Sequence, residues 1–153
     1  MALMLVQHGK AVSADVDPER GISDAGRTDV EKIADTARGY RVRITGIMHS
    51  GKKRARQTAE IFAERLGPGI SVTAVEGMNP GDDAALFADR LDTSGDLMLV
   101  GHLPFMEKLA SYLVTGSTER PVFRFQNGGI VCLDIHPGTG TWAIAWTLMP
   151  EIG

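Results

Sequence analysis

Cysteine is almost missing from this chain of 153 residues, where Cys132 stands alone. One thiol cannot close an intrachain disulfide, and a chain without disulfides suits a reducing compartment. Its neighbours in Ile130-Val131-Cys132-Leu133 are apolar, so Cys132 reads as a small buried hydrophobe. An excess of one charge is also missing. Sixteen Lys and Arg stand against nineteen Asp and Glu, a net charge of -3, which offers nothing special to nucleic acid or an anionic membrane. Long apolar runs are absent too. The apolar N-terminus, Met1 to Val6, is far shorter than the ~20 residues of a membrane-spanning helix. It carries no basic leader or small-residue cleavage site, so it reads as a buried strand and the protein as cytoplasmic. The four histidines show no His-x-His, His-Glu-x-x-His or Cys-His spacing. A metal-dependent hydrolase is therefore disfavoured, and neither metal nor cofactor is expected. There is no repeat, low-complexity tract or linker, and residues 1–153 read as one domain.

What is present is the composition of an ordinary globular protein, 43% hydrophobic and 23% charged. Short apolar runs alternate with helical patterns. Strands are expected at Leu3–Gln7, Ile44–His49, Ser71–Val75, Leu97–Gly101, Ile130–Ile135 and Trp142–Leu148, and their Val, Ile, Leu and Met content suggests cover on both faces. A first helix, capped by Ser23 or Asp24, sets Val30, Ile33, Ala34 and Ala37 on one face and stops at Gly39. A second carries Ala55, Ala59, Phe62 and Leu66 and ends at Gly67-Pro68-Gly69. A third runs from about Asp83 to Leu91, and a fourth follows Pro104 with Phe105, Leu109, Tyr112 and Leu113 facing inward. This order predicts a three-layer α/β/α fold around a mostly parallel sheet. Asn127-Gly128-Gly129 and Pro137-Gly138-Thr139-Gly140 are turn signals, the latter joining two strands in a hairpin.

Ligands of open α/β sheets bind beyond the carboxyl ends of the strands. The first strand ends in Gln7-His8-Gly9-Lys10, the second in His49-Ser50-Gly51 before Lys52-Lys53-Arg54, and the Leu97 strand in Gly101-His102-Leu103-Pro104. Histidines, cations and helix N-termini would meet at one edge. Such a set suits a phosphoryl dianion, and a histidine ring nitrogen can accept the phosphoryl group.

These segments resemble the signatures of the histidine phosphatase (phosphoglycerate mutase-like) superfamily. Gln7-His8-Gly9 resembles its Arg-His-Gly; Ser50-Gly51-Lys52-Lys53-Arg54-Ala55-Arg56-Gln57-Thr58-Ala59 is similar to its Ser-x-x-x-Arg-Ala-x-Gln-Thr-Ala; Gly101-His102-Leu103-Pro104 is similar to its Gly-His-x-Pro. The short length, Ile22-Ser23-Asp24-Ala25-Gly26-Arg27 and Asn79-Pro80-Gly81-Asp82-Asp83 resemble the compact SixA-type phosphohistidine phosphatases. The resemblance implies a phosphoglycerate mutase-like fold, His8 as phosphorylated nucleophile, Arg54 as phosphate clamp and His102 as second pocket histidine. Gln7, Gly9 and Lys10 would complete the phosphate site. The implied substrate is a phosphohistidine in a protein or peptide, or a small phosphate ester. Esters need a general acid, for which Asp82 and Asp83 are candidates.

Gln7 departs from the pattern. Glutamine donates hydrogen bonds but has no charge and no bidentate fork. The loss is worth on the order of 2–3 kcal/mol, or about 30- to 150-fold in rate. Either Lys10, Lys52 or Lys53 restores the charge, or a reactive phosphoramidate needs less help, or the pocket binds phosphorylated ligands without turning them over. Other readings are plainer. His49 and His136 are expected to be structural, Ser50 to cap a helix or touch phosphate, and Lys53 and Arg56 to be solvated, Arg56 beside an acidic partner. Trp142 and Trp146 are expected to share a strand face and pack there. Gly46 to Lys53 nearly fits the nucleotide-binding P-loop, but Lys53 stands where a hydroxyl would hold magnesium.

Overall fold

The computed structural model describes residues 1–152. Ten elements follow the chain: β1 (Leu3–Gln7), α1 (Asp24–Gly39), β2 (Gly46–His49), α2 (Lys53–Leu66), β3 (Ser71–Ala74), α3 (Ala84–Arg90), β4 (Leu97–Gly101), α4 (Phe105–Thr115), β5 (Ile130–Ile135) and β6 (Trp142–Leu148). The sheet order is β3-β2-β4-β1-β5-β6. The first four strands are parallel, and β5 and β6 join antiparallel to β1 and to each other. The expected mostly parallel α/β/α architecture is what forms.

Alternation along β1 shows how the layers arise. Met4 and Val6 point into a cluster with Val30 and Ile33 of α1 and Phe62 of α2. Leu3 and Leu5 point the other way, against Phe105, Met106 and Leu109 of α4. A strand buried on both faces needs apolar residues at every position, which is what Leu3 to Val6 supply. Phe62 and Phe105 are fully buried, each removing enough apolar surface to favour folding by about 1.5–3 kcal/mol. Cys132 is buried in the first cluster, and burial pushes its thiol up to about 12, so it packs as a hydrophobe.

The helix signals hold with small shifts. Ser23 caps α1, accepting from Gly26 N–H, and the helix passes through Gly39 to a cap at Tyr40. Gly26 is required by close approach: a Cβ there would lie 2.3 Å from the Lys10 carbonyl oxygen. Pro104 precedes α4 at its cap instead of occupying its first turn.

Three expectations are corrected. Ile44 and Thr45 lie outside β2, and all four residues of the edge strand β3 are exposed, so cover on both faces stops short of it. Ser50 does not cap α2, whose cap is Lys52 without a side-chain bond. Trp142 and Trp146 lie on opposite faces. Trp146 pairs with Cys132 but Ile144 pairs with Leu133, and the bulge between them takes up Ala145. One extra residue reverses the side-chain alternation, so Trp142 joins the α4 cluster and Trp146 the α1–α2 cluster. The Pro137 to Gly140 hairpin is as expected, closed by bonds from Gly140 N–H to His136 O (2.8 Å) and His136 N–H to Thr141 O (2.8 Å).

Candidate active site

β1 and β4 are adjacent and parallel, so His8 and His102, each one residue past its strand, arrive side by side. Their ring centroids are 5.0 Å apart and the planes are tilted by 52°. His8 is fixed through its main chain. Its N–H donates to Gly101 O (3.0 Å), and its carbonyl accepts from Asn127 Nδ2 (2.9 Å). Gly9 N–H donates to Thr58 Oγ1 (2.9 Å), whose hydroxyl in turn donates to Arg54 O (2.8 Å). Thr58 thereby ties the end of β1 to the first turns of α2, the helix that carries Arg54.

The protonation of His8 follows from one contact. Nδ1 lies 2.7 Å from Gly9 O, and a carbonyl only accepts, so Nδ1 carries the proton and Nε2 holds the lone pair. Burial foremost, opposed by the bond to Gly9 and assisted by the charges of Arg54 and Arg20, lowers His8 to about 4. His102 is pushed to about 3, by burial first and then by His8, Arg54, Lys52 and Arg20. Both rings are neutral at neutral pH, and Nε2 of His8 can attack an electrophilic phosphorus without first losing a proton.

The pocket also holds unspent donors. Among the buried side-chain atoms of the described residues, Arg54 Nε and His102 Nδ1 have no hydrogen-bond partner. A buried polar atom without a partner costs about 1–3 kcal/mol, which an arriving oxyanion would recover. The other ring nitrogen of His102, Nε2, lies 2.6 Å from Ser50 Oγ.

Among the cations, Lys53 is taken: its Nζ donates to Asp17 Oδ2 at 2.7 Å. It is thus neither solvated as expected nor free to supply charge. Arg56 pairs with Glu60 (3.6 Å), and exposed Lys10 lines a groove beside the pocket. Gln7 ends β1, its carbonyl accepting from Gly128 N–H (2.8 Å). Arg20 has no counterpart in the sequence signals. Its positive charge bears on His8, Arg54 and His102 alike. It sits at φ 51°, uncommon for a side chain with a Cβ, in a loop clamped by Asp17. That carboxylate, held near 2 chiefly by Lys53, accepts from the Glu19 and Gly21 amides. Gln57 Oε1 accepts from Ile22 N–H (2.8 Å) and pins the loop end to α2.

Asp82 and Asp83 turn away into local structure. Asp83 caps α3 by accepting from Leu86 N–H, and Asp82 accepts from Asn79 N–H (2.8 Å). Both line a separate hollow with Met48, Val75 and Phe87. His49 is buried and its Nδ1 accepts from Gly51 N–H (3.0 Å); exposed His136 accepts from Gly138 N–H in the hairpin. Gly46–His49 is a strand, so the P-loop resemblance has no loop to support it. Among the described residues, no group of three or more His, Cys, Asp or Glu is placed to hold a metal, and no helix is long and apolar enough to cross a membrane.

The depressed histidines carry a cost in acid. In the unfolded chain each takes a proton near pH 6.5, whereas in the fold they resist until about 4 and 3. Between these limits the unfolded state binds more protons, so stability is full above pH 6.5 and falls as pH drops toward 4. Unfolding in urea at pH 7 and pH 5 is expected to differ by about 3 kcal/mol. Replacing His102 by Asn should remove about half of that difference, and a flat profile in the wild type would contradict the burial argument.

The model of the histidine phosphatase superfamily (branch 1) matches residues 3–79, half of the 153. The phosphohistidine phosphatase SixA of Escherichia coli is 27% identical over 156 aligned positions, covering 98% of this chain and 94% of that protein. An uncharacterized protein of Picosynechococcus is 33% identical over 77% of this chain and 76% of its own length. The solved structure of the protein histidine phosphatase SixA complexed with tungstate superposes with a TM-score of 0.84 at 22% identity, covering 98% and 97% of the two chains. The chain belongs to the histidine phosphatase superfamily, and among its members it is of the compact SixA type.

Proposed function

We propose that this phosphatase hydrolyses phosphohistidine in a protein or peptide through a covalent intermediate on His8. The observation that carries the reading is the His8 ring itself: Nδ1 bonded to Gly9 O, Nε2 unprotonated, and the partnerless donors of Arg54 and His102 beside it. In the first step the lone pair of His8 Nε2 attacks phosphorus. The P–N bond of the substrate breaks. With its other ring nitrogen already protonated, the substrate histidine departs as neutral imidazole, and His8 becomes a phosphoimidazolium whose Nδ1 proton stays hydrogen-bonded to Gly9 O. In the second step water attacks the phosphoryl group on His8, the P–N bond to His8 breaks, and inorganic phosphate leaves. Charge on the three peripheral oxygens is met by Arg54 and the His102 N–H, so positioning and electrostatics supply the rate.

Two features favour a phosphoramidate over an ester. Asp83 caps α3 and Asp82 accepts from Asn79 N–H in its own loop, and an imidazole leaving group needs less acid catalysis than an alkoxide. A groove of about 840 Å³ runs beside the pocket, lined by Lys10, Phe123, Arg124 and Asn127, with room for the residues flanking a phosphorylated side chain. The relative from Escherichia coli carries the same activity in its name. The single thiol agrees with work in the cytoplasm.

With a chelator present throughout, phosphate release from a phosphohistidine peptide is expected to exceed release from an aryl phosphate by at least about tenfold in kcat/KM, a difference of 1.4 kcal/mol or more. Equal rates would remove the preference for phosphoramidate. Loss of both activities in the chelator would remove the metal-free mechanism.

A further inference from the structure

Resting on the reading of His102 as a donor to the phosphoryl group, we propose that Ser50 is a positioning residue that fixes which nitrogen of His102 carries the proton. Ser50 Oγ lies 2.6 Å from His102 Nε2, and the direction of that bond follows from the surroundings of the hydroxyl. Lys52 N–H already donates to Ser50 Oγ (3.4 Å), so the oxygen acts there as an acceptor. Among the described residues, the only acceptor recorded for the hydroxyl proton is Nε2 itself. Were Nε2 protonated, Ser50 Oγ would receive two N–H groups while its own proton had no partner. The satisfied arrangement has Ser50 donating to the Nε2 lone pair, which leaves the ring proton on Nδ1.

Nδ1 is the atom that is buried with no partner, in a residue only 2% exposed. As an N–H it is a donor waiting for an acceptor. As a bare lone pair it would face a phosphoryl oxygen with repulsion, since a dianion only accepts. The choice of partner matters as well. A carboxylate at position 50 would favour imidazolium, whereas a hydroxyl sets the tautomer and leaves the ring neutral. Ser50 also stands at the end of β2, one strand from β4, so the bond braces His102 from the neighbouring strand. Ser50 makes no bond to the first turn of α2 beyond the long contact with Lys52, so helix capping does not account for its position.

The test is nitrogen NMR of the full chain labelled with ¹⁵N-histidine at neutral pH, read without substrate. Wild type should show His102 with a protonated Nδ1 and an unprotonated Nε2, and inorganic phosphate should shift the Nδ1 resonance more than Nε2. Ser50→Ala should shift His102 toward the other tautomer and lower kcat/KM by about tenfold, as expected for one hydrogen bond. Ser50→Thr, which keeps the hydroxyl, should restore the wild-type pattern and most of the rate. A wild-type His102 protonated on Nε2 overturns the proposal, as does a Ser50→Ala protein with unchanged tautomer. Because the tautomer is read without turnover, the proposal stands or falls on that signal even if phosphohistidine proves to be the wrong substrate.

Discussion

His8→Ala is expected to lose phosphate release by at least about 10⁴-fold, in the range seen when a covalent catalyst loses its nucleophile. The fold should survive. His8 is held by main-chain bonds to Gly101 and Asn127 that alanine keeps, and its ring belongs to neither apolar cluster. At pH 5 the variant should even narrow the gap to its own stability at pH 7, because a half-buried histidine that resists protonation is gone. Chemical quench of the wild type during turnover should trap a phosphoryl group on His8, labile in acid and stable in base, as a phosphoramidate is. Alanine at position 8 should abolish the label. Residual turnover with the label moved to another residue would name a different nucleophile; of the remaining histidines, His102 has the nearest ring. Turnover with no label in either protein would point to direct attack by water.

What the sequence made legible divides by the range of the interaction. β1, β4, β5 and β6 are where the apolar runs put them, because a strand buried in a sheet writes itself locally as consecutive or alternating apolar residues. The Ser23 cap is local as well. The meeting of His8 and His102 could be read from the strand-end rule once the parallel order was seen. The remainder depends on partners distant in the chain. Nothing near Lys53 announces that Asp17, 36 positions away, will neutralise it. Ser50 looks like a helix cap until β4 brings His102 against it from 52 positions on. The bulge that separates Trp142 from Trp146 is a property of pairing with β5, and no residue in Trp142 to Leu148 signals it. Thr58 was visible only as part of a signature, and Asn127 only as a turn residue, although each holds the His8 segment in place. Arg20 is the least legible of all. It lies between Pro18 and Gly21, in a stretch of small and acidic residues that reads as an ordinary loop.

Arg20→Ala is expected to lower kcat/KM by about 30- to 100-fold, the worth of one charge-assisted contact to the phosphoryl group. The absence of arginine at position 7 leaves a deficit of positive charge at the end of β1, and Lys53 cannot fill it because Asp17 holds its ammonium. Arg20 can. Its Nε–H donates to Val12 O (3.3 Å), with no other bond of the guanidinium among the described residues, so the fork remains available. The loop behind it is clamped by Asp17 and Gln57, which lowers the entropy lost when the side chain engages a dianion. Because the charge acts most strongly on the transferring group, kcat should fall more than KM rises. The decisive comparison is with Gln7→Arg. If Arg20 substitutes for the missing arginine, Gln7→Arg should add little to the wild type but restore at least about tenfold to Arg20→Ala, so that the two changes are not additive. Asp17→Asn should reproduce part of the Arg20 loss by loosening the clamp, while freeing Lys53. An Arg20→Ala protein with wild-type turnover would show that Arg20 does not replace the missing arginine, and would leave Lys10 and Lys52 as the cations to test. Equal gains from Gln7→Arg with and without Arg20 would show that the two positions act on different parts of the substrate.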